Sequence, residues 1–383
     1  MKTFGDDLSF LSRHADVVVL EAKDSDARVA AVPAMQGRVM TSSLDGEDGL
    51  SFGWINHELI TVHERQAHIN TIGGEDRFWL GPEGGQFGLF FKKGDPFNYE
   101  HWQAPGPVDW GWWVLSKRKA DQAHFYKQFN LTNYSNTNFE LSADRIIRLH
   151  TKAEISDIFK IAVPKATKIV SFESHNTITN QGDDKWHMGS GLLSIWILGK
   201  FNSSASTTVV LPFHPGPEAK LGQIVNDKYF GKIGEDRLKI EEKGVVFFKG
   251  DAKYRCKIGL SALRAKNTIG SYDPENKVLT LVNFTLPPEA KMYVNNLWEI
   301  QEEPFAGDVV NTYNDGPYQQ DGKQIGPFNE LESSSPAAAL APGDSMTHVH
   351  RTAHFQGPEE ELSKITEQTL GLPLSAITSQ FNE

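Results

Sequence analysis

Apolar residues recur along this chain in short runs, each closed by Gly, Asn, Asp or Pro. Val17–Glu21 ends at Asp24–Asp26, Val29–Val32 ends at Pro33, and Gly37–Ser42 ends at the turn Asp45–Gly49. The same pattern predicts strands over Ile146–His150, Lys168–Glu173, Leu192–Leu198, Thr207–Pro212, Gly244–Lys249, Val278–Phe284, Lys291–Asn295 and Phe328–Ser334. These runs are rich in Val, Ile, Phe, Thr and Trp, which fit a pleated, half-buried surface. Short strands separated by frequent turns predict an all-β sandwich or barrel. Helical spacing is confined to the end. After Pro358, Leu362, Ile365 and Leu370 fall on one side of a helix over 359–370, with Gly371 as its cap and Pro373 beyond. A single domain over 1–383 is expected, with the sandwich across 15–357 and a helical tail over 358–383 that docks on it.

The length of 383 residues is enough to bury a core without covalent staples. The net charge is −11, from 38 basic and 49 acidic residues, and no long basic run occurs. Such a surface repels phosphate backbones, so nucleic acid is not an expected partner. Cys256 is the only cysteine, which excludes an intramolecular disulfide. The segment Met1–Leu20 lacks the basic start and apolar centre of a leader, and no apolar stretch reaches the ~18 residues of a membrane span. The expectation is a cytoplasmic protein with no membrane attachment.

Four stretches carry candidate chemistry. Gly73–Phe87 (GGEDRFWLGPEGGQF) crowds Glu75, Asp76, Arg77, Trp79 and Glu83 among glycines. Carboxylates and Arg bond sugar hydroxyls, and an indole stacks on the apolar face of a pyranose. The competing reading is a hairpin with an internal Arg–Asp pair and a core Trp. In Val170–Trp186, alternation puts Glu173, His175, Thr177 and Thr179 on one face, read as a solvated polar face. Trp186 and His187 follow the turn. In Asn311–Pro336, Asn314-Asp315-Gly316 is a turn, and Glu330 and Glu332 share one face of the strand Phe328–Ser334. Two such carboxylates, buried together, are the setting in which one becomes a tuned base. In Met346–Phe355, His348, His350, Thr352 and His354 share a face. Three imidazoles at that spacing could hold a metal. The preferred reading pairs them with the acidic strand carrying Glu330 and Glu332, so no metal is expected.

Gln36–Ser43 (QGRVMTSS), GGEDRFWLGPEGGQF, SHNTITNQG, YNDGP and FNELESSSPAAALAPGD together resemble the galactose mutarotase-like superfamily, within an uncharacterised branch related to aldose 1-epimerases. The most telling match is Leu331-Glu332, then Pro336, then Pro342-Gly343-Asp344. The resemblance implies a large antiparallel β-sandwich with a carbohydrate cleft on one sheet. It implies acid–base ring opening without a cofactor, with Glu332 as base and Glu330 as its neighbour or substitute. The family's Leu-His-Gly-Gly and Thr-Asn-His-x-Tyr-Phe-Asn patterns are absent, and the nearest histidine to the second is His187, taken as the candidate acid. Asp76, Arg77, Trp79, Glu83, Asn314, Asp315, Trp186 and His354 are the candidate sugar-binding residues. With no arginine cluster evident for a phosphate, a neutral sugar is expected. The alternative is a carbohydrate-binding protein on the same fold that does no chemistry, and a weaker third is a metal-dependent enzyme using His348, His350 and His354.

Overall fold

The computed structural model describes residues 2–62, 64–317 and 322–381 of the chain. The strands are, in chain order, β1 (Val18–Glu21), β2 (Arg28–Val32), β3 (Arg38–Ser43), β4 (Arg77–Gly81), β5 (Val114–Arg118) and β6 (Gln122–Thr132). Then come β7 (Asn138–Leu149), β8 (Lys168–Asn180), β9 (Ser194–Asn202), β10 (Thr208–Pro212), β11 (Leu238–Glu241) and β12 (Val245–Lys249). The last six are β13 (Cys256–Ser261), β14 (Thr268–Asp273), β15 (Val278–Phe284), β16 (Asp308–Asn314), β17 (Phe328–Ser334) and β18 (Ser345–Gln356). The helices are α1 (Phe4–His14), α2 (His57–Val62), α3 (Gly106–Asp109), α4 (Lys152–Phe159), α5 (Glu218–Leu221), α6 (Glu359–Thr369) and α7 (Leu374–Thr378).

Among the described residues these strands form three sheets. β1-β2-β3 is the smallest, ten strands form β11-β12-β10-β14-β15-β18-β8-β7-β6-β5, and five form β13-β16-β17-β9-β4. The strand pairings are antiparallel throughout. This is an antiparallel β-sandwich, one of the two all-β forms that the short strands predict and the one that the resemblance implies.

The five-stranded sheet stacks on the ten-stranded one. Phe78, Ile195 and Ile197 pack with Phe125, Ile147 and Phe172 of the large sheet. Ile258, Val310 and Leu331 pack with Val209, Ile269 and Val282. Each such fully buried side chain contributes roughly 1.5–3 kcal/mol. α6 and α7 cover part of the other face of the large sheet, burying Leu362, Ile365, Leu374 and Ile377 against Ile169 and Phe355.

A polar layer also lies between the sheets. Arg145 on β7 is paired with the Asp76 carboxylate, which accepts a second bond from Ser174 Oγ at 2.7 Å. Glu75 Oε2 accepts from Ser42 Oγ at 2.9 Å and lies 2.9 Å from His354 Nε2. Ser333 Oγ sits between two imidazoles, 2.8 Å from His348 Nε2 and 2.8 Å from His350 Nδ1. Burial pushes both of these histidines down to about 3, so they stay neutral.

Several local expectations need correction. The histidine face of β18 does not meet Glu330 and Glu332. β17 alternates: Leu331 and Ser333 turn inward, and Glu330 and Glu332 point outward. Glu173 is not solvated: it is buried on the outer face of the large sheet, within 3.3 Å of Arg148, His150, His175 and Arg351. Lys291–Asn295 forms no strand. Only Tyr293 bridges, to Ala306, because the following residues fold back on their own Asn295 side chain. The alternation also misses α1, which a capping box starts: Thr3 Oγ1 accepts from Asp6 N at 3.1 Å and Asp6 Oδ2 accepts from Thr3 N at 3.1 Å.

Candidate functional site

The outer face of the five-stranded sheet is where polar and aromatic side chains converge. Directly opposed residues share a face, and the register sets Trp79 against Trp196, Lys200 against Glu330, Glu332 against Asn311, and Tyr313 against Lys257. Strand parity thus brings a tryptophan pair, two glutamates and two lysines onto one surface. That surface is roofed by connecting segments, so β17 is buried on both faces.

Glu332 stands at its centre and is fully buried. Its Oε2 accepts from Lys257 Nζ at 3.0 Å and from Trp196 Nε1 at 2.9 Å. Its Oε1 has no hydrogen-bond partner. Two charge-assisted donors hold one oxygen and leave the other with open lone pairs. Lys257 Nζ also lies 4.6 Å from the Trp196 ring centroid and 5.2 Å from that of Tyr229.

Tyr229 belongs to the connection before β11. Its hydroxyl donates to Asp308 Oδ2 at 2.7 Å and accepts from Asn311 Nδ2 at 3.2 Å. Burial, with Asp308 beside it, pushes the phenol well above its ordinary range. Glu83 comes from the other side, in the segment after β4, and is partly exposed. Its backbone N–H donates to Asn296 Oδ1 at 2.8 Å, and its Oε1 accepts from Trp102 Nε1 at 2.8 Å. Loss of hydration raises the Glu83 carboxyl. Lys257 and the indoles of Trp102 and Trp298 oppose that shift, and the charge of Glu332 adds to it.

Glu330 is ion-paired with Lys200, whose ammonium lies 4.1 Å from the Phe328 ring centroid. Burial pushes Lys200 well below its ordinary range. Arg77 bonds Asp109 Oδ1 at 2.8 Å and stacks on Trp79 at 4.1 Å. Burial brings this guanidinium down to about 10 against the pull of Asp109. Asp315 accepts from Tyr313 Oη at 2.7 Å and from Gly326 N at 2.8 Å, beside the Lys200 pair.

The structure therefore brings Glu332, Glu330, Arg77, Trp79, Glu83 and Asp315 to one side of this sheet. Other candidates lie elsewhere. Asp76 precedes Arg77 and takes the opposite parity, into the polar layer between the sheets, so the Asp76–Arg77 neighbours do not form an internal pair. Asn314 also turns inward, where it bonds Ala252 N and Tyr254 O. His354 lies between the sheets on Glu75, stacked on Phe52. Trp186 is a core residue packed edge-on against Phe139. His187 is exposed in the 181–193 connection, and no ion pair or hydrogen bond joins it to Glu332, Glu330 or Glu83 among the described residues. For a metal, no group of three or more His, Cys, Asp or Glu has a suitable arrangement among the described residues.

Sequence reasoning missed Lys200, Lys257, Trp196, Trp102 and Tyr229. For Lys200 the signal was present: the run SIWILGK places Trp196, Leu198 and Lys200 on one face. For Tyr229 no periodicity exists to read, because it sits in an irregular connection.

Among solved structures the chain is similar to the Slr1438 protein from Synechocystis sp. PCC 6803, with 13% identity and a TM-score of 0.51, over 89% of this chain and 96% of that one. It is also similar to an Escherichia coli K12 structure named "Putative aldose 1-epimerase", with 10% identity and a TM-score of 0.52, over 90% of this chain and 100% of that one. A "galactose mutarotase-like protein" from Lactobacillus casei ATCC 334 aligns with 9% identity and a TM-score of 0.48, over 88% and 100% of the two chains. No curated protein matches the sequence. The fold is thus the β-sandwich of the Synechocystis and Escherichia coli structures. Within it, the chain belongs to the Family of unknown function (DUF6786), whose model matches residues 2–381.

Proposed function

We propose that this protein acts on a carbohydrate, interconverting the anomers of an aldose by acid–base ring opening, with Glu332 as the base. The observation that carries the reading is the Glu332 carboxylate. Lys257 and Trp196 hold Oε2 while Oε1 stays unpartnered, on a sheet face lined by indoles. A fixed carboxylate with one open oxygen can take the proton of an anomeric hydroxyl. Trp79 and Trp196 offer apolar surface to the sugar ring. The likeness to a fold neighbour named "Putative aldose 1-epimerase" supports the same reaction class. A cytoplasmic setting fits an acidic chain whose lone thiol, Cys256, is buried and pushed up to about 12.

The test is anomer exchange of common aldoses by proton NMR, with wild type and Glu332→Gln side by side. Acceleration by wild type that the variant loses supports the reading. A second reading, carbohydrate binding without chemistry, is favoured by the absence of any histidine paired with Glu332, Glu330 or Glu83 among the described residues. Sugar line-broadening without acceleration would select it.

A further inference from the structure

If this face of the sheet opens a sugar ring, a second group must protonate the ring oxygen as Glu332 takes the anomeric proton. Besides Lys200, which is committed to Glu330, the titratable groups near Glu332 among the described residues include three on different segments. Lys257 on β13 already donates to Glu332 Oε2. The Tyr229 hydroxyl is committed to Asp308. Glu83 is the third, and its environment differs from both.

Glu83 is anchored at two points. Asn296 fixes its backbone and the Trp102 indole fixes one carboxyl oxygen, with Trp298 alongside. Trp102 is itself held in an aromatic stack, 5.5 Å from Phe90 and 5.9 Å from Trp298. The carboxyl therefore sits in a rigid collar of rings at a partly exposed position, whereas Glu332 is fully buried. Both carboxyls feel Lys257, and each feels the other's charge. Their settings split their roles. Glu332 has two donors on one oxygen, whereas loss of hydration raises the Glu83 carboxyl against the opposing pull of Lys257 and the two indoles.

We infer that Glu83 is the general acid of this site, delivering its carboxyl proton to the ring oxygen of a neutral aldose whose anomeric hydroxyl lies on Glu332 Oε1. This rests on the proposed ring-opening reaction and assigns its second half. As the O–H proton passes to Glu332, the C1–O1 bond becomes a carbonyl. The bond between C1 and the ring oxygen breaks, its electron pair stays on that oxygen, and Glu83 supplies the proton there. After rotation about C1–C2, Glu83 takes the proton back, the ring oxygen attacks the other face of C1, and Glu332 returns its proton to O1. No electron or group is gained or lost. Loss of hydration and the charge of Glu332 raise the Glu83 carboxyl, which is the direction an acid needs.

The test measures anomer exchange of D-glucose and D-galactose by proton NMR across pH. It uses wild type, Glu83→Gln, Glu83→Asp and Glu332→Gln, with sugar line-broadening to score binding. Glu83→Gln is expected to lose about 100-fold or more in rate, to keep sugar binding, and to lose the alkaline decline of the wild-type profile. Glu83→Asp is expected to recover part of the rate. A Glu83→Gln variant with the wild-type rate and the same alkaline decline, beside an inactive Glu332→Gln, would overturn the role of Glu83 and leave Glu332 as base. A wild type that accelerates neither sugar, nor any other neutral aldose, overturns the ring-opening reaction and this assignment with it.

Discussion

Strand β17 looks two ways. On its inner side Ser333 joins a layer of ionic and polar groups enclosed between the sheets, where Asp76 meets Arg145 and Glu75 meets His354. On its outer side Glu332 and Glu330 join lysines and indoles. Both layers are buried and both use salt bridges. The inner bonds tie the large sheet to β17 and to the residues leading into β4, so they fix how one sheet sits over the other. The outer bonds run mostly between neighbouring strands of one sheet and to the segments that roof it, and they leave Glu332 half engaged. Buried charge alone does not mark a site; what its remaining oxygen faces does.

That contrast can be broken, and the largest effect should come from the inner layer. Arg145→Met leaves Asp76 without its cation, and removing one partner of a buried pair is expected to cost about 3–5 kcal/mol. Urea unfolding should report that loss, and a change below ~1 kcal/mol would mean the inner pairs hold little. Next comes acidification. His348 and His350 lie at about 3 in the folded chain against 6.5 in the unfolded one. Below 6.5 the unfolded chain binds protons that the folded chain refuses, so stability is complete above that pH and falls towards pH 3. Each histidine adds a slope of about 1.4 kcal/mol per pH unit. Urea unfolding of His350→Gln across that window should show a slope shallower by about one proton; an unchanged slope would contradict a neutral His350. Ser333→Ala strips both imidazoles of their shared partner and should destabilise by about 1–3 kcal/mol. The smallest effect on stability belongs to the outer side. Glu83→Gln keeps an acceptor for Trp102 and should shift unfolding by less than about 1 kcal/mol. Loss of anomer exchange in that variant without loss of stability would complete the contrast.

Much of this arrangement is legible in the sequence where it depends on parity. The strand Phe328–Ser334 has the bounds that alternation gives, and parity sets Glu330 and Glu332 on one face. The end helix was visible from the spacing of Leu362 and Ile365. Parity does not say which face looks outward, and that is why the histidines of β18 were set against the wrong residues of β17. Asp76 and Arg77 read as one polar cluster, yet consecutive strand residues must part to opposite faces. Lys257 was hidden for a different reason. A single lysine in a short strand becomes a ligand of Glu332 only through the register of β13 on β16 and of β16 on β17, which joins residues far apart in the chain.

Ser333 carries one further consequence. A hydroxyl has one proton, so it can donate to only one of the two imidazoles and must accept from the other. With both rings neutral, His348 and His350 therefore occupy complementary tautomeric states relative to the serine. Moving a proton at one ring obliges the hydroxyl to rotate and the other ring to answer. Directly behind Glu332 in the chain, the sandwich thus holds a hydrogen-bonded triplet with two permitted polarities, and changing between them requires all three members to reverse together.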